Sequence, residues 1–189
     1  MLVLGIARGG VEVGYEVARY LDADFSIIVS RKLPFPGNPE FGFGAISEDG
    51  SIFIIDEYKE RLSEGVAEEI IKKQEAEIKR CISVLRNGKP LPEIKDRTVI
   101  LVDDGIAMGS TMRASIYLCK NRKADKIVVA SPVSGQDLEK ELISFVDEVV
   151  ILEKPAFFQA VAQVYKNWHD LSDIEVASIL QRWEASIKT

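Results

Sequence analysis

The sequence holds a single histidine, His169, and two cysteines, Cys81 and Cys119, among 189 residues. One histidine cannot build a histidine-rich metal centre within one chain, and no surrounding pattern makes it the base of a nucleophile–His–Asp arrangement. The cysteines stand singly inside helical patterns, without metal-ligand spacing or the density of a disulfide framework, and read as structural thiols in a reducing compartment. No apolar run approaches the roughly 20 residues of a membrane span, and the start lacks the charged segment before an apolar core that marks a leader. A cytoplasmic protein, away from the membrane, is the expectation. Positive charge is also scarce: 24 Lys and Arg face 30 Asp and Glu, for a net charge of -6 at pH 7. That balance argues against a general binder of nucleic-acid backbone, although a local nest of N–H groups can still hold a small anion.

What is present is an alternation of short apolar runs with helical patterns, which predicts an α/β chain with a mostly parallel central sheet flanked by helices. Leu2–Leu4, Phe25–Val29, Thr98–Val102, Lys126–Ala130 and Glu148–Leu152 read as strands. Helices are expected over Val11–Leu21, Thr111–Asn121, Asp137–Phe145 and from Ser172-Asp173 to near Trp183. The Pro- and Gly-rich run Pro34–Pro39 reads as an irregular connection, and Phe41–Ala45 with Ile52–Ile55 as a hairpin around Glu48-Asp49-Gly50. From 57 to 87 the apolar residues Leu62, Val66, Ile70, Ile78, Ile82 and Leu85 recur at helical spacing until Gly88, Pro90 and Pro92 end the pattern, a long helical insertion. The chain is expected to form one domain over 1–189, with 153–189 a small variable C-terminal extension.

The chemistry concentrates in Thr98-Val99-Ile100-Leu101-Val102-Asp103-Asp104-Gly105-Ile106-Ala107-Met108-Gly109-Ser110-Thr111. A buried strand ends on two carboxylates, and a turn of small residues then opens a helix. Ligands of open α/β sheets bind at that end of a strand. The turn and the helix N-terminus suit a phosphate, and the carboxylates suit hydroxyls and Mg²⁺. The turn lacks the lysine of a nucleotide P-loop, and Gly5-Ile6-Ala7-Arg8-Gly9-Gly10 does not spell a dinucleotide fingerprint.

The run from Val99 to Thr111 resembles the phosphoribosyl-pyrophosphate (PRPP) motif of type I phosphoribosyltransferases, with Met108 where that motif carries a threonine. The resemblance extends from Gly5 to about Asp173. It implies that Gly5, Arg8, Gly9 and Gly10 belong to the pyrophosphate loop, joined by Arg31 and Lys32, with Lys32 the preferred second cation. Asp103 and Asp104 would orient the ribose and bind Mg²⁺, and Gly105, Ile106, Ala107, Met108, Gly109, Ser110 and Thr111 would anchor the 5′-phosphate. The implied reaction displaces pyrophosphate from C1 of PRPP by a nitrogenous heterocycle, with Asp103, Asp104, Arg8 and Lys32 as its catalytic groups. Members that use hypoxanthine or guanine place a carboxylate where Ala107 stands. The chain also begins almost at its pyrophosphate loop, so either it is a compact member or a further segment completes the pocket.

Phe157, Phe158, Tyr165 and Trp168 offer either a stacking surface for a planar acceptor or a packed C-terminal segment, and His169 is read as a polar structural or rim residue. The resemblance further implies a homodimer. A PRPP- or nucleotide-binding regulator without turnover, or an unrelated phosphate-binding hydrolase, would share the cradle. Acceptor-dependent release of pyrophosphate separates these readings.

Overall fold

Runs of Val, Ile and Leu without polar interruption form strands buried on both faces, and here they do so in parallel. The computed structural model describes residues 1–58, 61 and 63–187, without the side chains of Pro39, Glu40 and Ile187. In chain order the elements are β1 (Leu2–Ile6), α1 (Gly10–Leu21), β2 (Asp24–Ile28), β3 (Ser30–Phe35), β4 (Asn38–Ser47), β5 (Ile52–Ile54), α2 (Glu64–Leu85), β6 (Thr98–Val102), α3 (Ser110–Asn121), β7 (Lys126–Val133), α4 (Leu138–Leu142), β8 (Glu148–Glu153) and α5 (Asp173–Ile187). Single 3₁₀ turns lie at Asp56–Tyr58 and Val161–Gln163.

The central sheet has the order β2-β1-β6-β7-β8 and every pairing in it is parallel. Alternation along the strands divides the core. Val3, Ile100, Val102 and Val128 join Val11 of α1, Ile78 and Leu85 of α2 and Val176 of α5. Leu2, Leu4, Leu101 and Val129 join Met112 and Ile116 of α3 and Leu142 of α4. Cys81 and Cys119 are buried and free, one in each cluster, and burial pushes the Cys119 thiol up to about 12. No helix among the described residues is long and apolar enough to cross a membrane.

β1 and β6 are neighbours, with Gly5 opposite Val102. From that boundary the chain runs outward in two directions, to β2 on one side and through β7 to β8 on the other. The loops after β1 and β6 therefore diverge, and a crevice opens between them at the carboxyl ends of the strands.

A second, antiparallel sheet of order β3-β4-β5 lies beside α3. Three buried hydroxyls join it to that helix: Ser30 Oγ is 2.8 Å from Ser47 Oγ and 2.8 Å from Ser115 Oγ, and Ser115 Oγ is 2.9 Å from the Thr111 carbonyl. On the far side Arg86, just past α2, donates to both Glu48 carboxylate oxygens at 3.1 and 2.7 Å and to the Ile27 carbonyl at 3.1 Å. Burial raises the Glu48 carboxyl above its ordinary value against the opposing pull of Arg86.

Three sequence expectations need correction. Pro34–Pro39 is not an irregular connection: β3 and β4 run through it, with Phe35 paired to Asn38 across Pro36-Gly37. Gly37 takes φ 75°, and the register shifts on both sides of Pro34, so the proline sits at an irregularity of an edge strand, where a missing N–H costs little. The long helix starts at Glu64 rather than 57, after the 3₁₀ turn at Asp56–Tyr58, and the part of the expectation on residues 59, 60 and Leu62 lies outside the described residues. The helix expected over Asp137–Phe145 is only Leu138–Leu142.

Candidate active site

The crevice between the β1 and β6 loops is lined from both sides by glycine and carboxylate. A Cβ on Gly9 would strike the Asp104 carboxylate, and one on Gly10 would strike the Val102 carbonyl and the Asp103 backbone. The backbone of the first loop thus lies directly on the acidic pair, an approach open only to glycine. Asp103 folds its carboxylate back to accept the Asp104 N–H at 3.0 Å. Burial, followed by repulsion from Asp104, raises the Asp103 carboxyl well above the ordinary range, and burial raises Asp104 as well. Neither carboxylate has an ion-pair partner among the described residues.

Beyond the pair the chain turns tightly. Ile106 is buried and its N–H donates to the Val133 carbonyl at 2.9 Å, while Ala107 and Met108 are exposed. Gly109 adopts φ 71° immediately before α3, whose first residues are Ser110 and Thr111. The opening N–H groups of a helix have no partner within it, so this turn presents a cluster of donors.

Two cations share a cavity with Asp104. Arg8 and Arg31 both line two cavities, of about 240 and 200 Å³, and the larger also touches Gly9, Asp104, His169, Asp170 and Leu171. Arg8 donates to Asp173 Oδ1 at 3.4 Å, and Arg80 donates to Asp173 Oδ2 at 3.1 Å. Arg31 Nε is 3.4 Å from Gln74 Oε1. Adjacent residues of a strand point to opposite faces, so the Arg31-Lys32 pair divides. Arg31 reaches the cavities beside Arg8, whereas the stem of Lys32 lies over Gly42.

The segment after β8 crosses the crevice. Val161 rests on Gly105 and Phe158 lies over Gly135. The Tyr165 hydroxyl donates to the Asp104 carbonyl at 2.6 Å, and burial together with the two aspartates pushes that phenol up to about 12. Trp168 meets Tyr165 edge to face, with ring centroids 5.1 Å apart, while Phe157 is 85% exposed. His169 is exposed, with Nε2 3.1 Å from Glu175 Oε1, and also lines the cavity beside Asp104. Sequence reading did not single out Arg80, Asp170 or Arg113. Asp170 and Arg80 follow no local motif and reach the site only through the folding of α2 and the C-terminal segment.

Residues 1–166 match the family model for the phosphoribosyl transferase domain. The chain belongs to the type I phosphoribosyltransferase family. It is 39% identical over 184 residues to the Mycobacterium tuberculosis protein Rv0571c, whose name describes a phosphoribosyl transferase, with 96% of this chain matched. The identical figures apply to its counterpart MT0597 in another strain of that organism. The chain spans 42% of the length of these curated relatives. Among solved structures, TT1426 from Thermus thermophilus superposes with a TM-score of 0.79 at 34% identity, covering 96% of this chain and 87% of that one. A parallel sheet flanked by helices is the architecture of this phosphoribosyltransferase family.

Proposed function

We propose that the protein transfers the 5-phosphoribosyl group of PRPP to a nitrogenous heterocycle and releases pyrophosphate. The observation that carries this reading is the contact of Gly9 with the Asp104 carboxylate at the switch between β1 and β6. It supports the reading because it brings the glycine loop, with its neighbouring Arg8, against the acidic pair that leads into the small-residue turn.

In this reading residues 105–111 hold the 5′-phosphate through backbone N–H groups and the Ser110 and Thr111 hydroxyls. Asp103 and Asp104 accept the ribose hydroxyls. The bond from C1 to pyrophosphate breaks with its electron pair leaving on the pyrophosphate oxygen, and the acceptor nitrogen bonds to C1 from the opposite face with its lone pair, an N–H acceptor losing its proton to solvent. Arg8 and Arg31, which share the cavities beside Asp104, meet the charge that builds on the departing group. Positioning and fixed charge lower the barrier, and no covalent nucleophile is required. Tyr165 and Trp168, joined to the acidic pair, provide the surface for a planar acceptor.

Two adjacent, largely dehydrated carboxylates without an ion-pair partner suit a hard divalent cation. No group of three or more candidate ligands occurs among the described residues. Asp103 and Asp104 would hold Mg²⁺, which supplies neutralisation of the pyrophosphate charge. We read residues 1–189 as one working domain, with 153–189 its variable extension, in a homodimer.

The test is pyrophosphate release from PRPP and Mg²⁺ with a panel of purine, pyrimidine and related acceptors beside a control without acceptor. Acceptor-dependent release, lost in Asp103→Asn and Asp104→Asn, is expected. PRPP binding without turnover against any acceptor would assign the protein to regulation, and release from PRPP alone would make it a hydrolase.

A further inference from the structure

Arg113 is a charged side chain almost entirely out of solvent, 8% exposed, one helical turn beyond the phosphate-type turn. One guanidinium nitrogen donates to the Met108 carbonyl at 2.8 Å and the other to Glu141 Oε2 at 2.6 Å. The guanidinium carbon lies 5.2 Å from the Phe53 ring centroid and 5.9 Å from that of Phe145. Three elements therefore hold it: β5 and the segment after α4 through the aromatic rings, and α4 through Glu141. Burying a cation is costly unless it is both paired and hydrogen-bonded, and this one is both.

The bond to Met108 fixes a peptide plane. In a trans peptide the C=O and N–H point in opposite directions, so a Met108 carbonyl turned to Arg113 directs the Gly109 N–H to the other side of the turn. Gly109 is the residue with φ 71°, and a Cβ there would lie 2.9 Å from Arg113 Nη1. Met108 brings no hydroxyl, which leaves this turn the backbone N–H groups and the Ser110 and Thr111 hydroxyls as donors.

We infer that Arg113 is a positioning residue that aims the Gly109 N–H at the 5′-phosphate of the substrate. The inference rests on the assignment of residues 105–111 as the phosphate turn. Arg113 does not touch the ligand. It sets the peptide that does, and it is held in place by Phe53, Phe145 and Glu141.

The experiment is calorimetric titration of Arg113→Met, Arg113→Lys and Glu141→Gln with ribose 5-phosphate and, separately, with pyrophosphate in magnesium buffer, beside circular-dichroism melts. Arg113→Met should weaken ribose 5-phosphate by about tenfold or more while leaving pyrophosphate unchanged, as expected for loss of a charge-assisted bond. Arg113→Lys, which keeps one donor, and Glu141→Gln, which loosens the fork but keeps the arginine, should lie between that variant and the parent. A merely structural role would lower the melting temperature and weaken both ligands alike. If Arg113→Met fails to fold, the other two variants carry the same selective expectation. A folded variant that binds ribose 5-phosphate as the parent does, or loses both ligands equally, overturns the inference. Failure of the parent chain to bind PRPP, ribose 5-phosphate or pyrophosphate overturns the proposed function instead.

Discussion

The Tyr165 hydroxyl donates to the Asp104 carbonyl across 61 residues of sequence, and so ties the C-terminal segment to the acidic corner of the crevice. Tyr165→Phe removes this bond and little volume. It should cost about 1 kcal/mol of stability, the usual worth of a partly buried hydrogen bond, and loosen the segment carrying Val161 and Trp168. A thermal melt reads the first effect. A rise in the acceptor KM larger than the change in PRPP affinity reads the second.

Gly9→Ala places a methyl group against the Asp104 carboxylate. The loop or the carboxylate must move, and either movement spoils the same crevice. PRPP affinity should fall by about tenfold or more, with a melting curve close to that of the parent because the loop is partly exposed. Calorimetry with PRPP checks this. An alanine variant with parental affinity would show that Gly9 is not at the ligand.

Asp173 holds both Arg8 and Arg80, at 3.4 and 3.1 Å. In the proposed reading Asp173 competes with pyrophosphate for the charge of Arg8. Asp173→Asn should therefore tighten pyrophosphate binding several-fold and steepen its dependence on ionic strength, with little change in melting because both arginines are half exposed. Titration at low and moderate salt decides it.

The Arg86–Glu48 pair is buried, with the two side chains 6% and 5% exposed. Removing one partner leaves a buried charge, so Glu48→Leu or Arg86→Met alone should each destabilise by about 3 kcal/mol, while the double variant costs far less than their sum. Burial raises the Glu48 carboxyl, so the folded chain binds its proton more readily than the unfolded chain does. This group's contribution therefore favours the folded state at acid pH and weakens as pH rises through the raised folded value. Replacing both partners should flatten that part of the pH–stability profile measured by denaturant melts.

The strands of the central sheet, the Asp103-Asp104 corner and the turn to Thr111 were legible because each is written in consecutive residues: an apolar run, two carboxylates, a glycine, two hydroxyls. The crevice partners were less so. Pro34 and Pro39 masked β3 and β4, since proline reads as a break unless the strand is known to be an edge with an irregular register. The choice between Arg31 and Lys32 turns on which face of β3 meets Arg8, and adjacency alone does not state that. Arg113 carried no local signal at all: its meaning comes from Phe53, Phe145, Glu141 and Met108, which meet only after α3 and α4 have docked.

The residues around the crevice come from both sheets. Asp103, Asp104 and Gly9 are fixed by the parallel ladder, whose register cannot slide without unseating the whole core. Arg31 rides on the three-stranded antiparallel sheet, clasped to α3 by the Ser30–Ser115 contact and to Arg86 by Glu48. The spacing between the acidic pair and the Arg31 guanidinium is thus set by how the two sheets pack, through Leu33, Phe43 and Ile46 in the shared core as well as through these two polar contacts. Loss of a single hydroxyl, in Ser30→Ala or Ser115→Ala, would act on that spacing while leaving every residue of the crevice itself untouched.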